Sequence, residues 1–197
     1  MQPVHPAGLL LTGGSSSRMG RDKSTLPFDG VPLAVRVANE LKRVAYPVLT
    51  VGPEAGTGLY EVDDLGEGPL VAFVAGASAL AVRGHAGPIL LVACDLPLID
   101  ATLLRYLVSQ IGDFDAAVPV VAERPQPLCA VYAERAATLA AKLAARGERA
   151  MRSLLDVCAV RALPEREWDH IAPPSVLLDV DTPDDVAFVK RIRDEPL

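Results

Sequence analysis

The sequence is short of cysteine, of lysine and of uninterrupted apolar stretches, and each shortage excludes something. Only Cys94, Cys129 and Cys158 occur, an odd number set far apart. No pair has zinc-knuckle or redox-motif spacing, so reduced and mostly buried thiols are expected. The longest weakly polar run, Gly68 to Val82, is broken by Gly76 and Ser78. It falls short of the ~20 apolar residues a membrane-spanning helix needs. The first residues, Met1-Gln-Pro-Val-His-Pro6, lack the basic region of a signal peptide. These features predict a soluble, cytoplasmic protein with no membrane partner. A basic surplus is also missing: 19 Lys+Arg stand against 25 Asp+Glu, a net charge of −6. That balance argues against nucleic acid as the main partner, but leaves room for a small anion in a locally positive pocket.

What is present is a large reserve of core material. Half of the 197 residues are hydrophobic, which suits one folded domain spanning residues 1–197 and excludes a disordered chain. Charge is unevenly spread, because residues 1–60 hold six Lys/Arg and four Asp/Glu while the remainder is strongly acidic. Lysine occurs only at 23, 42, 142 and 190, against fifteen arginines. One of these scarce lysines, Lys23, lies in a glycine-rich stretch.

Apolar runs predict strands at Ala7–Leu11, Val48–Val51, Ile89–Ala93, Ala116–Val121, Leu128–Tyr132, Val157–Leu163 and Val176–Leu178. Helical spacing predicts helices from Pro32 to before Pro47, from Pro69 to about Gly84, over Asp100–Ile111 and over Glu134–Arg146. Pro183 opens a closing helix, and Asp100 and Thr182 are candidate N-caps. Residues 52–68 read as a glycine-rich loop. Strands alternating with helices, with central strands apolar on both faces, predict an α/β fold whose mostly parallel sheet is covered on both sides. Ligands of such sheets lie outside the carboxyl ends of the strands. The loop after the first strand, Asp95, and Asp179–Thr182 should therefore share one rim.

The stretch Leu11-Thr-Gly-Gly-Ser-Ser-Ser-Arg-Met-Gly-Arg-Asp-Lys23 carries the most information. Glycines let successive N–H groups approach phosphate oxygens, while serine hydroxyls, Arg18 and Lys23 add donors and charge. A Walker A loop is excluded because Arg21-Asp22 separate Gly20 from Lys23-Ser24, and the dinucleotide fingerprint is absent.

This run resembles the signature of molybdenum cofactor guanylyltransferases, within the MobA-like nucleotidyltransferase superfamily. Gly68-Pro69-Leu70, Cys94-Asp95-Leu96-Pro97 and Asp179-Val-Asp-Thr-Pro-Asp-Asp185 follow in the family's order, so the resemblance spans essentially the whole chain. It implies a Rossmann-like three-layer sandwich of the nucleotide-diphospho-sugar transferase type. It also implies transfer of GMP from GTP to Mo-molybdopterin, releasing pyrophosphate and forming the guanine dinucleotide. Gly13-Gly14, where CTP-using relatives commonly carry Ala-Gly, favours GTP. The alternatives are a molybdopterin cytidylyltransferase, another small-molecule nucleotidyltransferase of the superfamily, or a nucleotide-binding regulatory domain without turnover. The resemblance further implies delivery of the product to molybdoenzymes or their chaperones.

By the same resemblance, Leu11, Thr12, Gly13, Gly14 and Ser15 contact the nucleotide, Lys23 the α-phosphate and Arg18 the leaving pyrophosphate. An acidic residue ahead of Gly68-Pro69-Leu70 contacts guanine or ribose; Asp64 is the candidate, with Asp63 and Glu67 as competitors. Asp95 follows an apolar strand, where a carboxylate is costly unless paired or metal-bound, and Mg²⁺ is the natural cofactor. The alternative for Asp95 is a helix or turn cap. Asp181 is a second candidate ligand, although Asp-Thr-Pro is equally a helix-start signal. His5, His85 and His170 lie outside every motif.

Overall fold

A computed structural model of the chain describes residues 5–13 and 23–194. Strand β1 (Ala7–Leu11) precedes a hairpin of β2 (Pro27–Phe28) and β3 (Val31–Pro32), then helix α1 (Leu33–Lys42) and β4 (Val48–Val51). Next come β5 (Tyr60–Val62), α2 (Pro69–Val82), β6 (Ile89–Ala93), α3 (Ala101–Ser109) and β7 (Ala116–Val121). The chain continues through β8 (Arg124–Pro125), β9 (Cys129–Tyr132), α4 (Glu134–Ala145), α5 (Met151–Leu155), β10 (Val160–Pro164) and α6 (Pro183–Asp194).

The main sheet runs β10-β7-β9-β6-β1-β4-β5, with β8 paired to β7. Strands β6, β1, β4 and β5 are mutually parallel, as are β7 and β10, whereas β9 runs antiparallel between β6 and β7. The mostly parallel α/β sheet expected from the sequence is therefore present.

Alternation along the strands divides the core into layers. Leu10, Leu90, Val92, Cys129 and Val131 face α1 and α3, with Leu41, Leu103 and Trp168. Leu9, Leu11, Leu49, Leu91 and Tyr132 face α2, α4 and α5, with Phe73 and Leu154. A third cluster joins Phe28 and Leu33 to Val180, Val186 and Val189, so the small hairpin and α6 clasp each other across the length of the chain. Cys94 and Cys129 are buried and Cys158 partly so, none in a disulfide. Burial pushes the Cys129 thiol up to about 12 and Cys158 to about 11.

Asp100 caps α3 by accepting hydrogen bonds from the N–H groups of Thr102 and Leu103, both at 2.9 Å. Thr182 caps α6 in a reciprocal box: Asp185 N–H donates to Thr182 Oγ1 at 3.1 Å, and Thr182 N–H to Asp185 Oδ2 at 2.8 Å.

Three expectations are corrected. Val176–Leu178 is not a strand: Pro174–Leu177 forms a 3₁₀ turn, because Pro173 and Pro174 fix φ and cannot donate to a ladder. Within the loop expected over 52–68, Tyr60–Val62 adds a strand at the sheet edge. The strand expected over Val157–Leu163 begins only at Val160, after the short helix α5.

Candidate active site

Parallel pairing of β1 with β6 places Leu11 opposite Ala93, so both strands deliver their following residues to one rim. Cys94 N–H donates to Leu11 O at 3.0 Å, and Thr12 N–H to Val51 O at 3.0 Å. The Thr12 hydroxyl is buried and donates to Pro53 O at 3.0 Å. Leu11 O and Thr12 N–H are thus engaged within the sheet, and the strand end they hold leads into Gly13. Gly52 packs against that strand end with φ +121°, where a Cβ would lie 2.8 Å from Thr12 Oγ1. Only glycine fits there.

On the other side of Gly13 lies Asp64: a Cβ at Gly13 would collide with Asp64 Oδ2. Asp64 Oδ1 accepts from Gly66 N–H at 3.0 Å, a local turn that fixes the carboxylate. Of the three acidic competitors, Asp64 is the one against Gly13 at the end of β1. Asp63 is exposed, and Glu67 is paired with Arg149 at 2.6 Å.

The C-terminal segment meets this rim through the main chain, since Val180 N–H donates to Asp95 O at 2.9 Å. Val180 is fully buried in the third cluster, and alternation along extended backbone turns Asp179 and Asp181 the other way. One carboxylate oxygen from each of Asp95, Asp179 and Asp181 lies within 4.8 Å of the others. Arg36 on α1 steadies the Asp95 segment by donating from Nε to Pro97 O.

Lys23, in a 3₁₀ turn of Lys23–Thr25, donates to Asp181. Burial works against the Lys23 charge, but the hydrogen bond and charge of Asp181, then Asp95 and Asp179, hold its pKa above the ordinary value. Asp95 is pushed up to about 6, chiefly by burial and next by the charge of Asp179, with Lys23 opposing. A half-buried carboxylate beside two others is short of positive charge, and Lys23 supplies only part of it. Hard oxygen donors, few in number, match the demands of Mg²⁺.

The structure brings Lys23, Asp95 and Asp181 together on one rim and places Asp64 against Gly13. Gly14, Ser15 and Arg18 lie outside the described residues. Asp179 was expected on this rim, within Asp179–Thr182, but not as a metal ligand. Its signal was the Asp-x-Asp spacing, which puts two carboxylates on one side of an extended segment. Beside Asp95 and Asp179 lies a cleft of about 210 Å³, lined by Leu96, Gln126, Leu128 and Leu177. A larger groove of about 540 Å³ runs between α2 and α4, past Ile89 at the other end of β6 and away from the carboxylates. The three histidines take no part in the rim: His5 and His170 are exposed, and the His85 ring is 3.2 Å from Pro88 O. Among the described residues no helix is long and apolar enough to cross a membrane.

Residues 8–167 match the family described as MobA-like NTP transferase domain. A probable molybdenum cofactor guanylyltransferase from Opitutus terrae is 34% identical over 179 residues, covering 84% of this chain and 88% of that one. Another, from Bacillus cytotoxicus, is 29% identical over 175 residues, covering 83% and 86%. The crystal structure of molybdopterin-guanine dinucleotide biosynthesis protein A from Archaeoglobus fulgidus shares the fold, with a TM-score of 0.76. Its identity is 23%, and the match covers 95% of this chain and 98% of that one.

Proposed function

The chain belongs to the MobA-like NTP transferase domain family, and from that premise we propose that it transfers GMP from GTP to Mo-molybdopterin. The observation that carries this reading is the meeting of Lys23 with Asp95, Asp179 and Asp181 on the rim that also holds Gly13 and Asp64. Relatives named as probable molybdenum cofactor guanylyltransferases support the choice of nucleotide and acceptor.

In the reaction an oxygen of the acceptor phosphate attacks the α-phosphorus of GTP. A new P–O bond forms, the bond from the α-phosphorus to the bridging oxygen breaks, and pyrophosphate leaves with that electron pair. Both reactants are anions, so the work of the site is to neutralise charge and align the groups. Lys23 leaves Asp181 to contact a non-bridging α-phosphate oxygen, and Arg18 meets the departing pyrophosphate. Main chain from Gly13 to Ser15 cradles the phosphates, carried on the strand end that Leu11 and Thr12 hold in the sheet, and Asp64 contacts guanine or ribose. The acceptor enters from the cleft lined by Gln126 and Leu128. Asp95, Asp179 and Asp181 would hold Mg²⁺, which when bound supplies positive charge against the triphosphate and a fixed template of oxygen ligands.

The test is to incubate the purified protein with Mo-molybdopterin, Mg²⁺ and either GTP or CTP, and to measure pyrophosphate. Release with GTP and formation of the guanine dinucleotide are expected. Turnover with CTP alone would make the protein a cytidylyltransferase, and GTP binding without pyrophosphate would leave it a regulatory domain.

A further inference from the structure

Between β5 and α2 the chain must deliver Asp64 to Gly13 and then turn into the helix. Residues 63–68 contain no regular structure to do this, so something else must hold them. At the near end Asp64 folds onto Gly66 N–H and packs against Gly13. At the far end the holding partner is Arg149, in the turn between α4 and α5. Its carbonyl accepts from Leu70 N–H at 3.0 Å, satisfying a donor of the first turn of α2. Its guanidinium pairs with Glu67 at 2.6 Å. Gly68, with φ +109°, lets the chain come close enough, because a Cβ there would lie 3.0 Å from Arg149 O and 3.2 Å from Arg149 Cβ.

Arg149 is itself held. Nη1 donates to Ala144 O at 3.0 Å, at the end of α4, and to Glu148 O at 2.9 Å. Glu148 in turn accepts from Ser153 Oγ on α5 at 2.8 Å. With one carboxylate and two carbonyls on its fork, the guanidinium has its charge and geometry committed within the protein. That is the chemistry of a brace, not of a phosphate ligand.

We propose that Arg149, through Glu67 and the Leu70 N–H, is a positioning residue that fixes the loop carrying Asp64 against Gly13 and so sets the affinity for the nucleoside part of the substrate. The inference rests on the reading of Asp64 as a nucleoside contact. It assigns the α4–α5 turn, which contributes no group to the carboxylate rim, a part in nucleotide binding. The chemical step, served by Lys23 and the three aspartates, is left untouched.

The experiment is a double-mutant cycle on Glu67→Ala and Arg149→Ala, reading KM for GTP and kcat separately, with Asp64→Ala in parallel. Each brace variant should raise KM roughly threefold to fivefold, the upper range for a half-exposed ion pair, with kcat within about twofold of the parent. The double variant should be no worse than the poorer single, because both remove one contact. The charge swap Glu67→Arg with Arg149→Glu should recover part of the loss. Gly68→Ala, which attacks the main-chain half, should raise KM further. An effect of Arg149→Ala with none from Glu67→Ala would mean that Arg149 touches substrate directly, and would overturn the proposal. So would additive losses, or an equal fall in kcat. If Asp64→Ala raises KM while both brace variants are silent, the brace fails and the Asp64 reading stands. If Asp64→Ala leaves KM unchanged, the nucleoside contact fails and takes the brace with it. Should Arg149→Ala not fold, Glu67→Gln carries the same comparison.

Discussion

Asp95 sits where burial and the charge of Asp179 and Asp181 all oppose ionisation, and Lys23 offsets them only in part. Its folded-state pKa of about 6 lies above the ordinary carboxylate value of 3.8. Stability linked to this group is therefore fully present below the unfolded value and lost as pH rises through about 6. At neutral pH the charge costs the metal-free fold about 1–3 kcal/mol. Asp95→Asn should consequently raise the thermal midpoint of the metal-free protein at pH 7.5 by about 2–12 °C. The same change should cut turnover by about a hundredfold or more. A lowered midpoint, read by circular dichroism, would mean that the carboxylate is a structural cap. Lys23→Ala should lose a similar factor in kcat, and Lys23→Arg should restore little of it, because a planar fork does not replace a compact ammonium. Unchanged kcat for Lys23→Ala would remove it from the chemistry. Lys23 and Asp95 were legible in the sequence because each is a charge placed where a glycine loop or an apolar strand makes charge costly. The contact between Lys23 and Asp181 was less visible, because it joins residues 158 positions apart through tertiary packing alone.

At the scale of elements, legibility followed the strength of the local signal. Strands β1, β4 and β6 are mostly apolar runs buried on both faces, and α2 begins at a proline, so their existence could be read directly. Strand β5 could not: Tyr60 and Glu61 are exposed and glycines surround them, so it is a strand only because β4 offers an edge. Conversely, Val176 and Leu177 are as buried as strand residues, but the two preceding prolines decide their backbone. Helix α2 tests how closely these layers fit. A Cβ at Gly76 would lie 2.7 Å from Leu9 Cδ1 and 2.8 Å from Val51 Cγ2. Gly76→Ala gains about 1 kcal/mol of helix propensity. Overpacking against two central strands opposes this with about 1–3 kcal/mol. The net result should be destabilisation, seen as a lower urea midpoint, with kcat per folded molecule preserved. A higher midpoint would show that α2 can move off the sheet at little cost.

Over the whole molecule, the site is a meeting of distant segments: Lys23 from the first part of the chain, Asp95 from the middle, and Asp179 and Asp181 from near the end. The net charge of −6 conceals that carboxylates and a cation converge on one rim. Sheet topology explains how β1 and β6 reach that rim, and this much follows from the alternation of elements. The return of the last segment depends instead on the third cluster, where Phe28, Val186 and Val189 enclose Val180. Arg36, Lys190 and Arg193 ring the buried Phe28 at 5.0, 5.2 and 5.3 Å from its centroid. Val180 thus holds two aspartates in place by burial and by its 2.9 Å bond to Asp95 O. Val180→Ala keeps that main-chain bond but opens a cavity, at a cost of about 1–3 kcal/mol. If anchoring is its role, kcat at saturating GTP should fall about tenfold, far beyond the fraction of unfolded protein. Leu107→Ala, on the buried face of α3, should cost about 2–5 kcal/mol yet leave kcat of the folded enzyme intact. Equal effects on kcat from the two variants would mean that the rim responds to global stability alone. A selective loss at Val180 would identify the small cluster as the device that closes the site.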